Sequence, residues 1–363
     1  VSTSPVLIDS DKADKLNKLC TRLPKLLHQI PHVYFKNNIS DIANFYFKGD
    51  QVFAEYAMMC HKKDVEVGCR LDLAYTNEGF KVLEANMGSA IGGWQVQSFK
   101  NLICEMHENL RNPITTNNYI AKDTQRVYIK FVVDKILEYV KDITNEVNVY
   151  TSFTHIQDDT LKKKGVEFIN DLLIEELKSR NLSGKAFTGD VSSLTMINNK
   201  LFLGNTHIHS VLILSLKADN ITSDIIRAFI TGKIYLPDHL GIPLVSDKRN
   251  LGLLRELALK ETFCSEDNSL ILDFIPWTVD IEESKTVFKN IEYDLIELLR
   301  KDREKFVIKD FNGFQGKDVF IGKFSTFEEW EKAIELALTS GKFIAQEFSD
   351  SLNFSAPNIS NEW

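Results

Sequence analysis

Apolar residues recur at a spacing of three and four positions in several long segments of the chain, which is the pattern of an amphipathic helix. A leucine stripe marks residues 11–30, where Pro24 predicts a kink or a break between two helices. Thr326 fits the N-cap of another helix, with Phe327 and Trp330 on its apolar face. The same pattern predicts helices over residues 120–143, 158–179, 222–230, 243–263 and 281–300, whereas 51–60 fits a helix or a strand.

Short runs of β-branched and aromatic residues predict the strands. They lie on both sides of a turn within 70–86, at 147–154, within 193–218 with breaks at Asn198 and Gly204, and at 306–311, 319–324 and 343–348. This order of elements predicts an α+β fold with mixed or antiparallel sheets flanked by helices. We expect three lobes, with helices and a hairpin over 1–145, an α/β lobe over 146–240 and a third lobe over 241–363.

The composition is that of an ordinary globular protein and excludes several functions. A net charge of −8 with only short basic runs argues against a nucleic-acid partner. The longest apolar runs are strand-sized, so no membrane span is predicted. Five scattered cysteines without metal-ligand spacing, and no visible secretion signal, predict reduced thiols in a cytoplasmic protein.

The segment RLDLAYTNEGFKVLEAN at residues 70–86 predicts a hairpin that carries charged groups. A three-residue turn over 77–79 would pair Thr76 with Phe80. In that register Asp72 falls opposite Glu84. A turn of four residues would instead place the two acids on opposite faces, so the prediction depends on the register.

In the same register Arg70 falls opposite Asn86, and all four polar side chains share one face. The other face carries the predicted core residues Leu71, Leu73, Leu83 and Ala85. Two carboxylates directly across a strand pair repel unless a cation lies between them. Arg70 supplies part of that charge, and Mg²⁺, which prefers oxygen ligands, would supply it better. An exposed strand pair with a surface salt bridge explains the same pattern.

A second segment, FVIKDFNGFQGKDVFIGK at residues 306–323, is typical of a phosphate site. Lys309 lies on a predicted strand, and Gly313 and Gly316 follow in a turn where backbone N–H groups could approach phosphate oxygens. The segment joins two strands, so it is neither a Walker loop nor a dinucleotide loop, both of which open helices. An ordinary hairpin is the alternative.

Two further places fit nucleotide binding. Lys248 lies in the first turn of a helix predicted to be capped by Ser246 or Asp247, where a cation is unfavourable beside the helix dipole. It is therefore either simply exposed or holds a phosphate. At the end of the last predicted strand, Gln346, Glu347 and Phe348 could face an adenine ring, and a solvated strand end is the alternative.

Four blocks in this order resemble the circularly permuted ATP-grasp ligases, a group that includes glutathionylspermidine synthetase-like enzymes. They are the R-x-D and E-x-N pair of the hairpin, SDKRNLGLLRELA at 246–258, the lysine–glycine segment, and FIAQEF at 343–348. In ordinary ATP-grasp proteins the segment with the metal ligands follows the strands that carry the lysines. Here that segment precedes them. One departure is Asp310, which stands where the family commonly has proline.

The resemblance implies a role for each matching residue. Asp72, Glu84 and Asn86 would bind magnesium, and Arg70 would steady the oxygens of the reacting group. The implied nucleotide-binding residues are Lys248, Lys309, Gly313, Gly316, Gln346, Glu347 and Phe348.

The implied activity is an ATP- and Mg²⁺-dependent ligase that forms an amide or peptide bond through an acyl phosphate. Its substrates would be a carboxylate and an amine on a small molecule or peptide. Two alternatives remain: a phosphotransferase on the same scaffold, and a nucleotide-binding partner protein without turnover. The sequence has no Ser/His/Asp or Cys/His arrangement that would favour nucleophilic catalysis.

Overall fold

The computed structural model describes residues 8–106, 122–153, 156–214, 221–313 and 316–353. Over these residues the chain is a mixed α+β protein with helices packed on several small sheets. Its buried apolar side chains form three clusters: residues 19–85 together with 244–275, residues within 60–236, and residues within 277–345. No helix in this described part is long and apolar enough to cross a membrane. The division into three lobes stays a prediction.

Three capped helices open the described chain. They are α1 (Ser10–Val33), α2 (Ile39–Phe47) and α3 (Gln51–His61). The side chains of Asp9, Asn38 and Asp50 accept hydrogen bonds from their first turns. α1 runs through both Pro24 and Pro31, so the predicted break at Pro24 is wrong. Pro24 has no backbone N–H to donate to the preceding turn. Packing of the buried leucine stripe keeps the helix continuous at this position.

The predicted hairpin is formed by β1 (Cys69–Thr76) and β2 (Gly79–Met87). Its turn is one residue shorter than predicted, because Thr76 pairs with Gly79 and not with Phe80. The Thr76 hydroxyl closes this turn: it accepts from the backbone N–H of Glu78 at 3.2 Å and donates to the carbonyl of Gly79 at 2.8 Å. These hydrogen bonds thus close a turn of two residues, where a turn of three residues ending in Gly79 was predicted.

A β-bulge restores the predicted register at the charged end of the hairpin. Leu83 is an extra residue on β2, so Asp72 pairs with Glu84 and Arg70 pairs with Asn86. These pairings are confirmed. Since the bulge removes Leu83 from the alternation, its predicted place in the core is wrong, and the fully buried Val82 packs there.

The hairpin is followed by a short 3₁₀ helix (Trp94–Phe99) and by α4 (Lys100–Met106). The middle of the chain contains α5 (Thr124–Tyr139), β3 (Val149–Ser152), α6 (Asp159–Ser179), β4 (Ala186–Phe187), β5 (Leu194–Ile197), β6 (Lys200–Leu203), β7 (Thr206–Ile208), β8 (Ser210–Ile213) and α7 (Ser223–Ile230). β4, β3 and β8 form a parallel sheet, and β5, β6 and β7 form an antiparallel one. The predicted breaks at Asn198 and Gly204 are turns.

The last part of the chain builds a four-stranded antiparallel sheet. Its elements are α8 (Pro243–Ser246), α9 (Arg249–Leu259), α10 (Ser265–Phe274), β9 (Thr278–Asp280), β10 (Lys285–Phe288), β11 (Ile291–Asp294), α11 (Leu295–Lys301), β12 (Phe306–Asp310), β13 (Val319–Ile321), α12 (Phe327–Ser340) and β14 (Phe343–Glu347). The strand order is β13-β12-β14-β9. α12 starts with a complete capping box between Thr326 and Glu329, which confirms the predicted cap.

The helix predicted over 281–300 is wrong for most of its length. Residues 285–294 form the β10–β11 hairpin, and only Leu295–Lys301 is helical. Lys289 and Asn290 both have positive φ angles, 49° and 65°, which is the geometry of a type I′ hairpin turn. This backbone geometry overrides the helical spacing of the apolar residues.

Gly252 sets how closely α9 packs on β9. A Cβ at this position would lie 2.6 Å from the backbone oxygen of Thr278. In an exposed helix, glycine to alanine stabilises by about 1 kcal/mol. Gly252→Ala should instead lower the unfolding free energy by about 1–3 kcal/mol, because the backbone must shift. Urea unfolding measures the change.

Gly189→Ala is the control for this substitution. A Cβ there meets only a leucine methyl at 3.9 Å, so its stability should be unchanged or higher. If Gly252→Ala behaved like Gly189→Ala, the close packing of α9 would be contradicted.

Candidate functional site

The Arg70 side chain is fixed by three groups on one side of the hairpin. Its Nε donates to Asp72 Oδ1 at 2.7 Å, and its Nη2 donates to Asp72 Oδ2 at 3.0 Å. Its Nη1 donates to the carbonyl of Ile91. Gly92 lies so close that a Cβ there would be 2.9 Å from Nη1. The bidentate pair raises the pKa of Arg70, so the guanidinium is always charged.

Glu84 lies at the centre of the polar face. Its Oε1 accepts from Asn86 Nδ2 at 3.2 Å, and its Oε2 is 3.4 Å from Lys248 Nζ. The Lys248 side chain is only 11% exposed. Sequence reasoning left open whether Lys248 is simply exposed, and the structure brings it to the hairpin. In the described residues, therefore, both hairpin carboxylates have a cationic partner from the protein itself.

Lys248 also reaches the glycine segment. Its Nζ donates to the carbonyl of Gly313 and lies 3.4 Å from the carbonyl of Asp310. Residues 314–315, between the two predicted nucleotide-binding glycines, lie outside the described residues. Gly316 has a φ of +70° with open space around it, whereas Gly313 is tightly packed. Lys248 thus joins the hairpin to the segment that follows β12.

Lys309 is the most buried cation of the site, with 7% of its surface exposed. Its Nζ donates to the carbonyl of Leu83 at 2.8 Å and to Gln346 Oε1 at 2.9 Å. Gln346 is held in turn by donating from Nε2 to Thr278 Oγ1 at 3.0 Å. Both acceptors of Lys309 are neutral, and burial lowers the pKa of Lys309 to about 8.

Glu347 and Phe348, the other predicted adenine-side residues, make their contacts elsewhere. Glu347 Oε1 lies 3.2 Å from Lys289 Nζ. Phe348 packs edge-on against Phe324, with Lys323 over its ring at 5.6 Å. The structure therefore brings together Arg70, Asp72, Glu84, Asn86, Lys248, Lys309, Gly313 and Gln346, and places Glu347 and Phe348 beside that group.

The helix that carries Lys248 starts differently from the prediction. Lys248 itself occupies the N-cap position and makes no side-chain cap bond. Asp247 serves the first turn, since its Oδ1 accepts from the backbone N–H of Arg249 at 2.9 Å. The lysine side chain is thereby left free to reach across to Glu84 and Gly313.

Sequence reasoning missed an aromatic clasp around Arg249. The guanidinium carbon lies 4.0 Å from the ring centre of Phe45 and 3.8 Å from that of Phe311. Asp247 binds the same group with two bonds, of 3.0 and 2.7 Å. The clasp fixes Phe311 directly after β12, next to the glycine segment. The spacing of Asp247 two residues before Arg249 could have indicated the ion pair, but the sequence carries no signal for the stacking.

A second missed contact joins the end of β2 to the middle of the chain. Asp238 accepts from the backbone N–H of Ser89 at 2.8 Å, from the Ser89 hydroxyl, and from the backbone N–H of Ile213 at 3.0 Å. Gly88 is required beside it, because its φ is +109° and a Cβ would lie 2.6 Å from the Asp238 carboxylate. The polar edge of the hairpin is thus anchored to β8.

Comparison with known proteins finds similarity in fold. No family model and no curated protein match the sequence. The fold matches the solved structure of a glutathione synthetase-like effector from Globodera pallida in its apo form, with a TM-score of 0.58 and 14% identity, over 96% of this chain and 74% of that one. The chain is similar in fold to a glutathione synthetase-like protein. At this identity the likeness concerns the fold alone, and the circular permutation stays a prediction.

Lys309 should make stability depend on pH in the alkaline range. Its pKa is about 8 in the folded chain against an ordinary value of 10.5. Between these values the unfolded chain binds more protons than the folded one, so unfolding becomes harder as pH rises. The unfolding free energy of the wild type should therefore increase from pH 8 to pH 10.5 relative to that of Lys309→Met. Urea unfolding across this range measures it.

Lys305→Met is the matched control, because the Lys305 side chain is 56% exposed. Its stability should follow that of the wild type at every pH. Parallel curves for Lys309→Met and the wild type would contradict the lowered pKa of Lys309.

The Arg249 clasp yields a separate expectation. Arg249→Lys loses the planar stacking on both rings and one of the two bonds to Asp247. It should lower the unfolding free energy by about 2 kcal/mol, since these contacts are buried. Arg300→Lys, at an exposed ion pair with Glu331, serves as the control in the same urea titration. Equal effects of the two substitutions would show that the clasp is not stabilising.

Proposed function

We propose that this protein is an ATP- and Mg²⁺-dependent ligase that joins a carboxylate to an amine on a small molecule or peptide, through an acyl phosphate. The observation that carries the proposal is the buried ammonium of Lys309, which bridges Leu83 of the hairpin and Gln346 of the sheet through neutral oxygens. Glu84 and Asp72 lie near enough to act on the charge of Lys309 but form no ion pair with it in the described residues, and a buried cation without an ion pair favours an anionic ligand. The glutathione synthetase-like fold supports the same class of chemistry.

The two lysines would hold the phosphates of the nucleotide. An ammonium has three donors, and the described residues engage two of those of Lys309, so one remains for a phosphate oxygen. Lys248 already lies against the glycine segment, where it would exchange a backbone carbonyl for phosphate. A phosphate would also raise the pKa of Lys309 again and remove the cost of its burial.

The hairpin fits a magnesium ion only together with the nucleotide. In the described part of the chain, no three His, Cys, Asp or Glu side chains come together to hold a metal. Asp72, Glu84 and the amide of Asn86 offer oxygen ligands on one strand face. Mg²⁺ is commonly bound by one or two carboxylates plus phosphate oxygens. When bound, it would neutralise charge that builds on the transferred phosphoryl group.

Arg70 would act on the reacting oxygens. Its guanidinium is held by Asp72 and by the carbonyl of Ile91, so its direction is fixed before a substrate arrives. It could stabilise the negative oxygens of the acyl phosphate and of the tetrahedral intermediate. The amine would need positioning more than deprotonation once it is uncharged.

A nucleotide-binding protein without turnover is the second candidate. It is favoured by one observation: Asp72 and Glu84 already have protein cations, Arg70 and Lys248, as partners. A metal would have to compete with both. A phosphotransferase uses the same contacts and differs only in the acceptor of the phosphoryl group.

Product analysis separates these functions. A ligase should release ADP and free phosphate only when a carboxylate and an amine are both present, in a screen of amino acids and short peptides. Phosphotransfer would give ADP without free phosphate and a product heavier by one phosphate. Binding of ATP with no ADP formed in any combination of substrates would indicate a nucleotide-binding protein without turnover.

Metal binding is tested by calorimetry of ATP with and without Mg²⁺. The double variant Asp72→Asn with Glu84→Gln should weaken binding of magnesium-ATP by about tenfold or more. Asp159→Asn with Glu167→Gln, two exposed carboxylates of α6, is the matched control. Unchanged affinity in the first variant would refute the metal assignment.

A further inference from the structure

Three histidines from different parts of the chain meet where α1 and α3 pack on the segment 239–246. His28 of α1 and His61 of α3 are stacked, with ring centres 3.9 Å apart and planes inclined by 25°. His239 begins the third segment, and Gly241 presses that segment onto α3. A Cβ at Gly241 would lie 2.9 Å from the backbone nitrogen of His61 and 3.0 Å from the ring of His239. We call His28, His61 and His239 the histidine junction.

The surroundings of the two inner histidines favour neutral rings. His61 is 7% exposed, and its Nδ1 is buried without a hydrogen-bond partner in the described chain. His239 is 5% exposed, and its Nδ1 accepts from the backbone N–H of Gly241 at 3.1 Å. A proton on Nδ1 of His61 would find no acceptor, and a proton on Nδ1 of His239 would break the bond from Gly241.

The charged groups around the junction give a protonated histidine little compensation. Asp64 Oδ1 lies 3.6 Å from His28 Nδ1, but the Asp64 side chain is 89% exposed, so water screens its charge. His61 faces Lys62 and the other two histidines, all of which oppose a positive charge on its ring. His239 faces His28, which opposes a charge there as well.

One more titratable side chain lies at the same contact. Cys60 of α3 approaches the backbone of Leu240, with Lys63 nearby. Burial raises the pKa of the Cys60 thiol, so the thiol stays neutral and offers no negative charge to the histidines.

Acid therefore acts against the closed junction. Burial lowers the pKa of His61 and that of His239 to about 3 each, and it lowers the pKa of His28 from its ordinary 6.5. Between pH 3 and pH 6.5 the opened junction binds more protons than the closed one. The closed form thus has its full stability above pH 6.5 and loses it as the pH falls.

The segment 239–246 leads directly into Lys248. Its last turn is α8, which ends only two residues before the lysine. Asn250 Nδ2 donates to the carbonyl of Leu244 at 3.0 Å, which ties α8 to the start of α9. A movement of 239–246 away from α1 and α3 would therefore move the start of α9 with it.

We propose that the histidine junction is an acid-sensitive switch. At neutral pH it holds 239–246 against α1 and α3. Below about pH 6 it opens and displaces Lys248 from Glu84 and Gly313, the two partners that it has at the hairpin and at the glycine segment. This opening is a property of the chain itself and does not depend on the proposed ligase chemistry.

Amide hydrogen exchange of the full chain between pH 7 and pH 5 tests the proposal, with rates corrected for the intrinsic effect of pH. Each histidine that takes up a proton should make opening about tenfold easier from pH 6 to pH 5. With His61 and His239 together, the opening of 239–246 and of the first turn of α9 should increase by up to about a hundredfold.

The buried face of α12 is the internal reference, because no histidine follows His239 in the sequence. Its opening should change much less over the same pH range. Equal pH dependence in 239–246 and in α12 would overturn the proposal, since acid would then act on the whole chain or on neither part.

Substitutions assign the effect to the junction. His61→Phe keeps a ring on His28 and removes one titrating group, so the increase in opening from pH 6 to pH 5 should fall by about tenfold. His28→Phe should reduce the increase as well. His32→Phe makes the same change at an exposed position of α1 and should leave it unaltered. A wild-type response in His61→Phe, or in His28→Phe if His61→Phe does not fold, would refute the assignment.

Parallel ATP titrations at pH 7 keep this proposal apart from the proposed function, because the exchange experiment contains no nucleotide. Steep acid opening of 239–246 without ATP binding would support the switch and refute the nucleotide site. ATP binding with an opening that does not depend on pH would do the reverse.

Discussion

The site depends on one contact, the hydrogen bond from the Lys309 ammonium to the carbonyl of Leu83. It joins a hairpin near the start of the chain to a strand near its end. The β-bulge makes this contact possible, since a bulged residue leaves the ladder and its carbonyl can serve another partner. Deleting the bulge would also slip the register by one position and move Glu84 to the opposite face.

The two lysines near that contact have different partners, and the difference bears on function. Among the described residues, Lys309 donates hydrogen bonds only to neutral oxygens. Lys248, at the start of α9, is instead paired with Glu84. Structural ion pairs normally bring opposite charges together, and a buried lysine without one costs stability. The buried Lys309, with its Gln346 partner fixed through Thr278, is therefore the main support for the proposed anionic ligand.

The sequence predicted which polar residues of the hairpin share one face, but it did not predict the turn and the bulge that produce this register. Alternation of polar and apolar residues located Asp72 opposite Glu84, and two errors cancelled: the turn is shorter than expected, and the bulge replaces the missing residue. The motif order located Lys248 and Lys309 as candidates. The clasp of Arg249 between Phe45 and Phe311 could not be predicted, because stacking partners far apart in sequence leave no periodic signal. The β10–β11 hairpin was not predicted, because its apolar residues have helical spacing. Lys289 and Asn290 adopt left-handed conformations and form a turn there instead.

Lys248 occupies the N-cap of α9, and its side chain reaches Glu84 and Gly313. The position of α9 therefore determines where the Lys248 ammonium lies. That position is set by the contact of Gly252 with the backbone of Thr278, and Thr278 also holds Gln346 against Lys309. The helix that follows Lys248 and the strand that carries Lys309 are thus linked by a backbone contact and two hydrogen bonds.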